Sequence, residues 1–93
     1  ERIACVEGAG LDAPEFRDAA PFDLILANIL KGPLIALAPD VAAATAPGGR
    51  VILSGLLIDQ APDVLAAYAR IGINEEDREE IGEWATLILA KEG

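Results

Sequence analysis

The stretch FDLILANIL, residues 22–30, is apolar at almost every position. A strand with one wet face alternates apolar and polar side chains. Leu24, Ile25, Leu26 and Ala27 in succession therefore predict a strand over residues 22–27 that is covered on both faces, as in a parallel sheet. The segment RVILSG, residues 50–55, has the same character after its first residue and predicts a second such strand over 50–53. Parallel neighbours need a long crossover, usually helical. The residues between the two runs provide it. Gly32 and Pro33 open a helix on which Leu34, Ile35, Leu37, Ala38, Val41 and Ala44 are spaced for one buried side. Pro39 lies inside that pattern and predicts a kink or two helical pieces. The run APGGR ends the helix, its glycines supplying left-handed backbone for a tight return.

The remaining segments extend the alternation. Residues 3–7 read as a short strand, followed by the flexible GAG of residues 8–10. Pro14 and Pro21 then bracket a helix of at most six or seven residues. Residues 59–71 form a second amphipathic helix, with Ala61, Val64, Leu65, Tyr68 and Ile71 on its core side and Gly72 as its stop. INEEDREEI, residues 73–81, is polar and predicts an edge strand. Its Glu75, Glu76, Asp77, Glu79 and Glu80 read as a solvated face that discourages strand-to-strand aggregation. Gly82 and Glu83 turn into a last strand, WATLILAK, residues 84–91. This order predicts an α/β layer fold with a mostly parallel sheet and a closing antiparallel hairpin. Tyr68 and Trp84 read as packing residues.

Composition narrows the chemistry. A chain of 93 residues is one small domain or part of a larger one, and it buries only about 60–65% of its unfolded surface. The absence of any methionine reads as a processed chain or a piece of a longer protein. Asp23, Asn28, Lys31 and Ser54 interrupt the apolar runs well short of the ~20 residues that a membrane helix needs. The net charge of −9 would repel phosphates, which argues against nucleic-acid binding, whereas a basic protein partner suits it. With no histidine, His-based triads, His acid–base pairs and His metal sites are excluded. The single Cys5 allows no internal disulfide, no zinc ribbon and no iron–sulfur cluster. It fits a reducing, cytoplasmic compartment and reads as a small buried hydrophobe. Any chemistry here relies on positioning, or on a cofactor.

Asn28 is the residue out of place. A carboxamide buried without partners costs about 1–3 kcal/mol. Two explanations are open: it bonds nearby backbone and shapes the turn into the helix, or it faces the crevice beyond the carboxyl ends of the strands, where parallel sheets collect ligands. A competing site is weak. Gly8, Gly10 and Ala13 have dinucleotide-loop spacing, but the helix between Pro14 and Pro21 is too short for a usual crossover, and no acidic residue ends the following strand. A plain flexible loop suits those glycines better.

The run PFDLILANILKGPLIALAPDVAAATAPGGRVILSGLL, followed by QAPDVLAAYARIG and GEWATLILAK, resembles the bacterial methyltransferases that modify the large-subunit ribosomal protein L11. The resemblance is firm over residues 21–72 and 82–91. It implies a Rossmann-like class I methyltransferase fold and S-adenosyl-L-methionine as cofactor, with methyl transfer to lysine side chains and the N-terminal amine of a ribosomal protein. Asn28 matches the family's asparagine after the fourth strand, which lines the cofactor and substrate pocket. Ile29 and Leu30 then sit beside the reacting centre, with Ser54 and Gly55 ending the neighbouring strand at the same edge. The readings that compete with it are a class I methyltransferase with another substrate and a non-catalytic α/β module that binds a protein.

The chain also departs from the family pattern. Nothing in it matches the family's glycine-rich cofactor loop or the acidic residue that holds the ribose, and Glu7 and Asp12 are the candidates for the acid near the adenine. The family's N-terminal recognition domain has no counterpart. Residues 1–93 are therefore expected to be the C-terminal part of a methyltransferase domain, inactive alone. The family orders its strands three, two, one, four, five, seven, six. Without strands one and two, the strand of residues 22–27 is left with an apolar edge that recruits another strand. Either residues 3–7 pair with it or two chains associate through it.

Overall fold

The two apolar runs lie side by side and parallel in a computed structural model of the chain, which describes residues 3–7, 21–28 and 31–92. Strand β2 is Phe22–Asn28 and strand β3 is Thr45–Leu57. Between them run two short helices, α1 at Lys31–Ala36 and α2 at Ala38–Ala44. They are separated at Leu37 because Pro39, in the first turn of α2, has no N–H to continue the ladder. A 3₁₀ turn at Ile58–Gln60 leads into α3, Ala61–Ala69. The hairpin of β4, Ile73–Ile81, and β5, Trp84–Lys91, closes the chain. With β1 at Ile3–Glu7, the five-stranded sheet has the order β1-β2-β3-β5-β4, parallel over the first three strands and antiparallel over the rest. The mixed α/β fold expected from the sequence is present. The short helix and the glycine loop expected within residues 8–20 lie outside the described residues.

One sheet face carries the core. Ile25, Ala27, Val51, Leu53, Leu56, Ala85, Leu87 and Leu89 are buried there with Leu34 of α1, Ala38 and Val41 of α2, and Val64 and Tyr68 of α3. The Tyr68 hydroxyl donates to the Leu34 carbonyl at 3.0 Å and ties α3 to α1 across this layer. On the other face Leu26, Ile52 and Ile88 stand opposite one another in register and remain half-buried. Cys5 continues that row beside Leu26 and is exposed, which corrects the expectation of a buried hydrophobe. Ala4 takes the inward position on β1, and alternation turns Cys5 outward.

Two boundaries and one edge depend on contacts beyond local sequence. β3 begins at Thr45 rather than at residue 50, so APGG runs as the irregular start of a strand and not as a free return. Thr45 pairs with Phe22, and its hydroxyl donates back to the Val41 carbonyl at 2.6 Å. The Lys91 ammonium donates to the carbonyls of Ala42 and Thr45, both at 2.7 Å, fastening the end of α2 to β5. Gly49 is buried so closely that a Cβ there would lie 2.8 Å from the Ala46 carbonyl. The second helix starts at Ala61 because Ile58–Gln60 adopt the tighter turn, with the Leu57 N–H bonded to the Gln60 side chain at 3.0 Å. The strand of residues 22–27 has no open edge: β1 pairs with it from Ile3 opposite Leu24 to Glu7 opposite Asn28, and β3 holds the other side. Of the two expected outcomes, the structure shows the pairing with residues 3–7. β4 is the polar edge strand foreseen, exposed after Ile73, with Arg78 paired to Glu75 and Glu80.

Candidate functional site

Because β1, β2 and β3 run parallel, their carboxyl ends fall at one edge of the sheet. Glu7 stands opposite Asn28, and Asn28 opposite Ser54. This resolves the puzzle of an amide in an apolar run. Asn28 is the last residue of β2 and is exposed, so no burial penalty arises. Among the described residues its carboxamide makes no hydrogen bond, leaving two N–H donors and a carbonyl acceptor available at the strand end. The alternative of a backbone-bonded turn former has no support among those residues.

The neighbouring strand is shaped around this amide. β3 slips register between Leu53 and Leu56, and Gly55 within the slip has φ +80. A Cβ on Gly55 would lie 2.5 Å from Asn28 Oδ1. Ser54 is half-buried, and its hydroxyl reaches the Ala27 carbonyl at 3.5 Å, a weak bond that turns it toward the sheet. Ile29 and Leu30, the other expected site residues, lie outside the described residues, as does Asp12. Glu7 is described only as the register partner of Asn28.

Farther along β3 the sheet end becomes apolar. Leu57, Trp84 and Ile81 are cross-strand neighbours. Trp84 is 56% exposed and Ile81 68% exposed. Trp84 is thus not the packing residue expected. Ala85, Leu87 and Leu89 are the inward set of β5, and alternation places Trp84 on the opposite face. Tyr68 does pack, fully buried, and burial pushes its phenol well above the usual tyrosine range. An open cleft of about 370 Å³ lies beside this corner, lined by Leu57, Ile58, Asp59, Gly82 and Glu83. Its two carboxylates give the corner a negative rim. Among the described residues no group of three or more His, Cys, Asp or Glu side chains is placed to hold a metal ion. No described helix is long and apolar enough to cross a membrane.

The family profile described as Ribosomal protein L11 methyltransferase matches residues 6–92 of this chain. The chain belongs to that family. The L11 methyltransferase of Bradyrhizobium diazoefficiens is 48% identical over 91 residues, covering 98% of this chain, and that of Caulobacter sp. is 46% identical over 86 residues, covering 92%. The crystal structure of a ribosomal protein L11 methylase from Lactobacillus delbrueckii subsp. bulgaricus superposes on 81% of the chain with a TM-score of 0.74 and 31% identity. A chain solved as the M1.HpyAVI–SAM complex superposes on 97% of this chain, over 55% of its own length, with a TM-score of 0.72, but at 10% identity it speaks to the fold alone. The sheet is therefore a partial class I methyltransferase sheet. The chain spans 31% and 30% of the length of those two curated relatives and 39% of the Lactobacillus chain.

Proposed function

We propose that this chain is the C-terminal part of the catalytic domain of a protein N-methyltransferase that uses S-adenosylmethionine to methylate amino groups of ribosomal protein L11. The observation that carries the reading is Asn28: an exposed carboxamide, without a hydrogen bond among the described residues, at the carboxyl end of a central parallel strand. Family membership gives that position its chemical context. The strand ends suit the cofactor and an amine together, since Asn28 offers donors and an acceptor, Gly55 leaves room for that carboxamide, and Ser54 borders it.

When bound, S-adenosylmethionine supplies an electrophilic methyl group that needs no further activation. What remains for the protein is alignment. The Asn28 carbonyl accepts a hydrogen of the incoming neutral amine and points its lone pair along the line of displacement, which is an entropic contribution rather than acid–base catalysis. This is how such a site operates without histidine. Leu57 and the exposed Trp84 offer an apolar wall for the stem of a lysine, and Asp59 and Glu83 attract its charge before it is deprotonated.

The test is a chimera in which this chain replaces the matching 91 residues of the Bradyrhizobium relative. Transfer of labelled methyl groups to ribosomal protein L11 is expected from the chimera and absent from the 93-residue chain alone. A folded but inactive chimera would overturn the assignment of activity. Turnover by the chain alone would overturn its reading as part of a larger catalytic domain.

A further inference from the structure

We propose that Gly55 is a positioning residue for Asn28, holding the carboxamide at the strand-end crevice through the room its missing side chain leaves. The inference rests on the reading of Asn28 as a site residue. Two features of Gly55 are independent of each other. Its φ of +80 belongs to the left-handed region, which follows from the register slip between Leu53 and Leu56. A bend of that kind needs a glycine for the backbone alone and says nothing about a site. The second feature is different. The position of a Cβ at residue 55 lies 2.5 Å from Asn28 Oδ1 and 3.7 Å from Asn28 Cγ, and, among the described residues other than its two chain neighbours, within 4 Å of no other atom. The space beside Gly55 is thus occupied by one group, the carboxamide assigned to the pocket.

The consequence is directional. Among the described residues beyond its chain neighbours, a side chain at residue 55 meets the movable end of Asn28 and neither backbone nor core. The carboxamide swings out of its place rather than the sheet opening. Gly55 therefore acts through Asn28, and the slip in β3 serves to bring a bare backbone segment under the amide. Register explains why this pairing is so specific: Asn28 is opposite Ser54, so the next residue of β3 passes beneath its side chain.

The experiment uses this chain, as Gly55→Ala, Asn28→Ala and the double variant, with two readouts. The first is the side-chain amide cross-peak pair of Asn28 in a nitrogen-15 NMR spectrum, which is expected to shift on Gly55→Ala while the peaks of the β4–β5 hairpin stay in place. The second is a urea double-mutant cycle. Gly55→Ala is expected to raise the unfolding constant about tenfold less in the Asn28→Ala background than in the parent chain, because only the backbone conformation is then penalised. Should Gly55→Ala fail to fold alone yet fold together with Asn28→Ala, the coupling is supported as well. Unmoved Asn28 amide peaks, or equal costs in both backgrounds, would overturn the proposal, as would failure of both variants to fold. Failure of the functional reading shows up separately, as unchanged turnover of the chimera carrying Asn28→Ala.

Discussion

Replacing Tyr68 with phenylalanine removes a single oxygen from the fully buried core. Its hydroxyl lies 3.0 Å from the Leu34 carbonyl, and that bond joins α3 to α1 over the sheet. The ring still fills its place, so no large cavity forms. What is lost is one net hydrogen bond, and what is left is a buried carbonyl short of a donor, together about 1–3 kcal/mol. For a domain of this size 1 kcal/mol corresponds to roughly 4–8 °C, so a loss of about 2 kcal/mol lowers Tm by about 8–16 °C. Urea unfolding followed by far-ultraviolet circular dichroism is the assay, and the midpoint is expected to fall with an unchanged slope. Alkaline pH gives an independent check. Burial raises the Tyr68 phenol pKa above its unfolded value. Stability from this group is therefore complete below pH ~10, where both states hold the proton. It declines at up to about 1.4 kcal/mol per pH unit as pH rises further and only the unfolded chain releases it. The chain has one tyrosine, so the difference between parent and variant isolates that slope. A loss below ~0.5 kcal/mol, or the same alkaline slope in both proteins, would refute the reasoning.

Lys91→Met removes an ammonium that donates to the Ala42 and Thr45 carbonyls at the end of α2. Urea titration is expected to show a loss of about 2 kcal/mol, more than its place near the chain end suggests. Leu53→Ala opens a cavity in the fully buried layer between sheet and helices and is expected to cost about 2–5 kcal/mol, visible as loss of cooperative unfolding. Arg50→Ala breaks an exposed pair with Glu76, 2.8 Å apart, and is expected to cost less than ~1 kcal/mol, an effect that shrinks further when salt is raised to ~1 M.

Much of the fold was legible because local and global preferences agree. The runs at residues 22–27 and 84–91 are short, apolar and bounded by turn residues, as buried strands are. INEEDREEI combines strand length with a polar surface that only an edge tolerates, and Pro39 divides the helix region where its missing N–H requires. Cys5 and Trp84 were misplaced for a shared reason. Each is apolar, and the inward set of an alternating strand is decided by which face the helices cover. The start of β3 was hidden because APGG has the composition of a turn, and only the pairing of Thr45 with Phe22 and the anchoring of Thr45 and Lys91 draw it into the sheet. Of the proposed site, the place of Asn28 at the carboxyl end of an apolar strand was legible. The contact between Asn28 and Gly55 was not, because it depends on the register between two strands joined by a helical crossover.

The measurement that bears most directly on the site is the turnover number of the Bradyrhizobium chimera with and without Asn28→Ala, at saturating S-adenosylmethionine and ribosomal protein L11. If the Asn28 carboxamide aligns the amine, kcat falls about a hundredfold while the urea midpoint of the exposed-site variant stays within error of the parent. An unchanged kcat in a folded variant would contradict the claim and return Asn28 to the ordinary role of ending a strand.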